Sequence, residues 1–353
     1  MARNAGQTPA GSRSGSANRS KPPTMRQVAA KAGVSVKTVS RVMNRDPAVK
    51  ESTRESVLEA ARALGYRPNA PARALVTGRS KTLGLLISDI ENYFFAGLVR
   101  GVQTAAEERD YSLLLCNTDE NPDTEIRSVD LLLGHMVDGL VMSSSRLQDD
   151  QVSRVADSVG MVLINRFHPD PRVLTTSIDA EAVNLAAEHL IALGHRSIGY
   201  IGGPMRSRAA WLREEGCRKV LAKHKMREPL VATGFPVSIE GGYSAMNWLL
   251  DVDSGITGVV CWNDMLAIGA MRAVQARGLR IPDDVSIVGF DDIHFSAHAN
   301  PPLTTVSVPI HRLGYEAAIL LIDATEAEGA PIKSRSTVQC HLVTRGSTGP
   351  VSQ

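Results

Sequence analysis

The sequence predicts an all-α head of three short helices ahead of a two-lobed α/β body with mostly parallel sheets. Three observations predict it. A helix-start signal at Thr24 opens three apolar-periodic stretches that end before residue 66. From Thr82 onward, short apolar runs alternate with amphipathic stretches, the pattern of strand–helix units on a parallel sheet. The charge is also split: residues 1–80 carry 15 Lys/Arg against 4 Asp/Glu, whereas residues 81–353 carry 24 against 33, so a net +2 conceals a +11 block on a −9 body. A basic end on an acidic body suits a polyanion partner, and nucleic acid is the leading one.

Residues 1–23 are rich in Ala, Gly, Ser, Asn, Arg and Pro, lack apolar periodicity and lack the hydrophobic region of a secretory signal, so they read as a disordered tail. Thr24-Met25-Arg26-Gln27 has the spacing of a capping box, in which the Thr hydroxyl and the Gln side chain satisfy each other's free backbone N–H groups. Met25, Val28, Ala29 and Ala32 form the stripe of this first helix. Gly33 takes the turn, and Ser35 caps a second helix running to about Asn44. A third helix, about 51–64, places Val57, Leu58, Ala61 and Leu64 on one face and stops at Gly65.

Candidate strands in the body are 83–87, 113–116, 139–142, 161–164, 198–201, 259–261 and 286–289, too many for one compact sheet beside so many helices. The body therefore divides near Ile178-Asp179, with 172–177 as a connecting segment. A second crossing falls near Pro301-Pro302-Leu303, before a last helix at about 312–325. Ligands of open parallel sheets bind beyond the carboxyl ends of the strands, which makes the interlobe cleft the default site.

At 353 residues the chain should hold two or three domains, and no uninterrupted apolar run approaches the roughly 18 residues of a membrane span. Cys116, Cys217, Cys261 and Cys340 form no CxxC pair or zinc spacing, so they read as reduced thiols in a cytosolic protein with no metal and no cofactor. No Gly-x-Gly-x-x-Gly, Walker loop or Gly-x-Ser-x-Gly elbow supports an enzyme, and none of the nine His residues has metal-like spacing. No catalytic residue is proposed. His195 follows a helix end and reads as structural. A secreted sugar-binding protein would share the two lobes but would need a secretion signal and no basic head.

The stretch Ala32-Gly33-Val34-Ser35-Val36-Lys37-Thr38-Val39-Ser40-Arg41-Val42-Met43-Asn44 resembles the lactose-repressor (LacI) family of bacterial transcription regulators. The resemblance continues through Thr53-Arg54, Leu64-Gly65-Tyr66-Arg67-Pro68-Asn69, Ala72-Arg73-Ala74-Leu75 and Gly84-Leu85-Leu86. It resumes at Leu193-Gly194-His195, Gly202-Gly203-Pro204, Asn263-Asp264, Val288-Gly289-Phe290-Asp291-Asp292 and Pro302-Leu303-Thr304-Thr305. It implies a helix-turn-helix head at 24–68, a hinge helix and linker at 69–80, and a periplasmic-binding-protein-like body at 81–353. The first lobe would be about 81–178 plus 306–328, and the second about 179–305 plus 329–345.

By that resemblance the second helix lies in the major groove of double-stranded operator DNA and Val36, Lys37 and Arg41 read bases. Arg41 suits guanine O6/N7, Lys37 guanine acceptors, and Val36 a thymine methyl. Ser35, Thr38 and Ser40 are hydroxyl residues able to bond phosphate and set register. Residues 69–76 resemble the hinge helix that folds over the minor groove when two copies meet. Asn69 stands at its start, Pro71 in its first turn and Leu75 as the wedge. Effector contacts fall on Asn92, Phe94, Phe95, Arg166, Arg213, Trp262, Asn263 and Asp291. Asp291 could instead cap a loop and Phe95 could be core. A sugar stacked on Phe94 or Trp262 fits this set, but Arg208, Arg213 and Arg166 could equally receive a phosphate or carboxylate. Lys50 stands where relatives often have a capping Ser, which shifts the expected cap to Ser52 with Glu55. Trp211 and 206–208 depart from the family pattern, and no Leu heptads follow Arg345, favouring a homodimer over a tetramer. The implied function is a transcriptional repressor, cytoplasmic and nucleoid-associated when on DNA, binding a palindromic operator and controlled by a sugar-like effector in the cleft, with no membrane contact.

Overall fold

A computed structural model of the chain describes residues 23–43, 46–66, 78–327 and 334–351. It divides into two units, one ending at Val76 and the other starting at Thr77.

In the first unit, α1 (Met25–Ala32) opens with the expected capping box. The Gln27 amide donates to the Thr24 hydroxyl, and the Thr24 amide donates to Gln27 Oε1 at 2.8 Å. Gly33 leaves α1 in the left-handed region at φ 67°, a conformation that a residue with a Cβ resists. Helix α2 (Val36–Met43) follows, and Asn44 lies outside the described residues. The Thr38 amide donates to Ser35 Oγ at 3.1 Å, so Ser35 caps α2 as its position predicted. Helix α3 (Glu51–Leu64) corrects the capping expectation: it begins at Glu51, and Lys50 precedes it without a side-chain cap. Glu51 in the first turn supplies the charge that favours a helix N-terminus. Val28, Ala29, Val39, Val42, Val57, Ala60 and Ala61 close the core of the head.

The second unit holds two six-stranded sheets. The first contains β1 (Thr82–Ile87), β2 (Ser112–Asn117), β3 (Gly139–Ser143), β4 (Met161–Ile164), β5 (Val173–Ile178) and β11 (Arg335–Val338), all parallel, in the order β11-β5-β4-β3-β1-β2. The second contains β6 (Ile198–Ile201), β7 (Leu230–Ala232), β8 (Gly258–Cys261), β9 (Ser286–Asp291), β10 (Thr304–Ser307) and β12 (His341–Val343), ordered β12-β10-β9-β8-β6-β7, with only β12 antiparallel.

Between the strands run α4 (Tyr93–Glu108), α5 (Pro122–Gly134), α6 (Asp149–Ala156), α7 (Leu185–Ala192), α8 (Arg208–Lys223), α9 (Ile239–Val252), α10 (Asp264–Ala276) and α11 (Ile310–Glu326). Each lobe joins two helices through paired glycines. A Cβ on Gly101 of α4 would sit 2.0 Å from the His311 carbonyl oxygen, and one on Gly314 of α11 would sit 2.3 Å from that of Leu98. Gly242 of α9 and Gly269 of α10 approach the Leu266 and Ile239 carbonyl oxygens in the same way. Among the described residues no helix is long and apolar enough to cross a membrane.

Three expectations are corrected. Residues 172–177 are not a connector: Val173–Ile178 is β5, paired in register Met161↔Val173 with β4. Its Thr175 and Thr176 are buried, which disguised the strand as a polar segment. The second crossing lies not at Pro301-Pro302-Leu303 but after β10, immediately before α11. Nor does all of 329–345 belong with the second lobe. Arg335–Val338 pairs with β5 in the first sheet, and the chain rejoins the second sheet only at β12.

Candidate DNA-reading face and ligand cavity

Helix α2 has two faces. Val39 and Val42 are buried in the core of the head, while Val36, at 43% exposure, Lys37 and Arg41 face solvent. This division follows from helical periodicity and leaves one edge of α2 free to enter a groove. Thr38 and Ser40 are half-buried beside it, and Ser35 Oγ is shared between the Thr38 amide and, at 2.9 Å, the Thr38 hydroxyl.

Arg41 does not stand alone. Its Nε donates to Asp46 Oδ2 at 2.8 Å, a bond that holds the Asp46 carboxyl below its usual range. Asp46 is fixed in turn, because its Oδ1 accepts the Ala48 amide and its carbonyl accepts Arg54 Nη2 at 2.8 Å. Asn69 and Leu75 lie outside the described residues.

In the second unit a cavity of about 410 Å³ opens between the lobes. Asn165, Arg166 and Phe167 follow β4, Thr175, Ser177 and Ile178 come from β5, and 335–337 from β11. Ala209, Leu212 and Arg213 of α8 close it from the second lobe. Of the eight expected effector contacts, Arg166 and Arg213 line this cavity.

Arg166 donates to the Leu147 carbonyl at 2.6 Å and to Asp149, whose carboxyl it holds below the usual range. Arg213 is only 7% exposed. It donates to the Trp262 carbonyl at 2.6 Å and to Asp291 Oδ1 at 3.3 Å, and it lies 3.7 Å from the Phe290 ring centre. Burial pushes the Asp291 carboxyl up to about 7, with Arg213 pulling against it.

The other six expected contacts do not line the cavity, although Trp262 and Asp291 meet Arg213. Asn92 caps α4 by accepting the Phe94 amide, and Asn263 caps α10 by accepting the Leu266 amide. The Nδ2 of Asn263, Nε1 of Trp262 and Nε of Arg213 are buried without hydrogen-bond partners among the described residues. Donors in that condition cost stability unless a ligand or water satisfies them. Phe94 and Phe95 are core residues packed edge to face, ring centres 5.3 Å apart, and neither lines the cavity. The aromatic ring that does is Phe167, 60% exposed, with the Arg335 guanidinium 4.4 Å from its centre. Sequence reasoning missed both residues. Phe167 was detectable as the neighbour of Arg166, whereas Arg335 depended on recognising β11.

Asp264, adjacent to Asn263, is fully buried and structural. It accepts the Ile293 amide and the Ser296 and Thr305 hydroxyls, and burial raises it to about 6. His195 is likewise buried and structural, joining Thr257 Oγ1 at 3.0 Å to the Gly349 carbonyl at 3.1 Å.

Comparison with known proteins agrees on both units. Residues 24–69 match the bacterial regulatory proteins of the lacI family, and residues 187–348 match the periplasmic binding protein-like domain. The chain is 35% identical to the HTH-type transcriptional repressor PurR of Haemophilus influenzae (strain PittEE) over 332 residues, 92% of this chain and 98% of the relative. It is 34% identical to the repressor CytR of Escherichia coli (strain K12) over 328 residues, 92% and 96% respectively. Among solved structures, the lac repressor dimer bound to operator and the anti-inducer ONPF aligns with a TM-score of 0.84 at 30% identity, covering 93% of this chain and all of that one. The complex of the transcriptional regulator CelR with cellobiose aligns with a TM-score of 0.69 at 33% identity, covering 92% and 99%.

Proposed function

Because the chain belongs to the lacI family of bacterial regulatory proteins, and is a DNA-binding transcriptional repressor with an effector-binding body, we propose how its parts divide that work. Two copies bind a palindromic operator, each placing α2 in a major groove. Val36, Lys37 and Arg41 read bases, while Ser35, Thr38 and Ser40 bond phosphates. The hinge segment, with Asn69 at its start and Leu75 as a wedge, opens a minor-groove step between the half-sites. A sugar or sugar derivative in the interlobe cavity, contacted by Arg166 and Arg213 with Asn92, Trp262, Asn263 and Asp291 around them, alters operator affinity. The repressor acts in the cytoplasm and sits on the nucleoid when bound.

The observation that carries this reading is the exposure of Val36, Lys37 and Arg41 on a helix whose opposite face is buried. The lac repressor relative was solved as a dimer on operator, and the CelR relative with a disaccharide, which supports the dimeric and sugar-binding parts. Footprinting of the full chain on selected DNA tests the reading. A symmetric protected site requiring two copies is expected, and protection of one asymmetric site by a monomer would contradict it.

A further inference from the structure

We propose that the effector carries an oxyanion, as a sugar phosphate or sugar acid does, and that Arg335 on β11 is its principal charge partner. This inference rests on the ligand-control reading above and narrows its chemistry. The cavity is lined by three guanidinium groups, Arg166, Arg213 and Arg335, and by one carboxylate, Asp179. Both oxygens of that carboxylate are already engaged. One of its oxygens accepts the Ala182 amide at 3.0 Å and the other the Cys340 amide at 2.6 Å, so it fastens the crossing after β5 to the one between β11 and β12.

The three cations differ in what already occupies them. Arg166 is tied to Asp149 and to two backbone carbonyls. Arg213 is tied to Asp291 and the Trp262 carbonyl, but its buried Nε has no partner. Arg208, near the same helix start, stacks on Trp211 and does not line the cavity. Among the described residues no carboxylate pairs with Arg335, whose guanidinium lies over the face of Phe167. A guanidinium laid on a ring keeps its edge N–H groups free, and that planar fork matches carboxylate and phosphate oxygens.

With three guanidinium groups against one carboxylate whose two oxygens each already accept an amide, the unused hydrogen-bonding capacity of the charged groups in this cavity is mostly donor. A ligand rich in acceptors satisfies it, whereas a neutral polyol must also find acceptors for its own hydroxyl protons. Of the remaining wall, Phe167, Ile178, Ala180, Val183, Ala209 and Leu212 are apolar and can cover the carbon skeleton of such a molecule, while Asn165, Thr175, Ser177, Ser336 and Thr337 add uncharged polar groups that can complete its hydroxyl contacts.

The test uses the full chain, matched sets of sugars with their phosphates and their acids, and constant ionic strength. Melting temperature, calorimetry and operator affinity are read for the wild type, R335Q and the surface control R280Q. A phosphate or acid should bind saturably where its neutral parent does not. R335Q should weaken it about ten- to a hundredfold, the loss expected for a charge-assisted contact, and R280Q should leave it unchanged. Whether the phosphate or the acid binds separates the two sources of the oxyanion. A neutral sugar that binds and shifts operator affinity equally in wild type and R335Q overturns the charge inference while leaving ligand control standing. An anion bound equally well by R335Q overturns the role of Arg335. Failure of every member to bind the chain or shift operator affinity overturns the inference and counts against ligand control by sugars.

Discussion

The Nε of Arg41 donates to Oδ2 of Asp46 across 2.8 Å, so the guanidinium expected to read a base is already held by a carboxylate just past the end of its own helix. In the proposed reading this bond aims Arg41 before DNA arrives, with Asp46 as its positioning residue.

The two residues should leave distinguishable signatures on DNA. Arg41→Ala should reduce discrimination at one base pair by about tenfold or more while changing random-sequence binding little. Asp46→Asn keeps an acceptor for the Ala48 amide but removes a negative charge beside the phosphates. It should raise random-sequence affinity and lower discrimination, and steepen the salt dependence by up to about one phosphate contact. Gel shifts on operator and random DNA at several salt concentrations separate these outcomes.

Arg213→Met should destabilise the body more at pH 8 than at pH 6. Removing the guanidinium leaves Asp291 buried, and a carboxyl already raised to about 7 rises further without its partner. Below that value the carboxyl is neutral when buried. Above it the folded state must either bury an unpaired charge or retain a proton that the unfolded chain releases, so stability falls as pH rises. The full penalty is about 3–5 kcal/mol for a broken buried pair, and denaturant melts at the two pH values measure how much of it is avoided. Operator binding by the folded variant should stay near normal while its response to ligand is lost.

Burial lowers the pKa of His195 and of His189, whose Nε2 meets Thr348 Oγ1 at 2.9 Å. The unfolded chain then binds more protons than the folded one around and below the ordinary histidine value of about 6.5. Their stabilising contribution is complete above that value and is lost as pH falls. The stability difference between wild type and His195→Gln should therefore shrink from pH 7.5 to pH 5.5, as read from paired thermal melts.

Gly101→Ala and Gly269→Ala should each destabilise the body by about 1–3 kcal/mol or more, because the new methyl meets backbone and not a movable side chain. Gly134→Ala, with nothing within 4 Å of the added carbon, is the control and should be neutral or stabilising.

Much of this architecture is legible in the sequence wherever a local signal has a local cause. The Thr24–Gln27 box, the turn at Gly33 and the cap at Ser35 depend on neighbouring residues and are found where they were expected. The strands read from Leu, Val and Ile runs are present; all but the exposed edge strand β2 are buried, and buried parallel strands are continuously apolar. Strand β5 escaped because Thr175 and Thr176 are buried hydroxyl residues in a central position. Strands β11 and β12 escaped because their places are set by partners far away in sequence. The same long-range pairing brings Arg335 to Phe167, so the cavity was only partly readable: Arg213 follows from the family resemblance, but the wall around it depends on which sheet receives the end of the chain.

The most direct test of the central claim is to titrate labelled operator with the full chain at increasing concentrations of a ligand from the cavity screen, and to measure ligand affinity with and without saturating operator. The account predicts that a ligand weakening operator binding tenfold itself binds about tenfold more weakly to the operator complex, because the coupling is one free energy shared by both sites. Filling the cavity by Leu212→Trp should abolish both effects and leave ligand-free operator binding intact. Operator affinity that stays constant at saturating ligand would contradict the claim that the cavity controls the head.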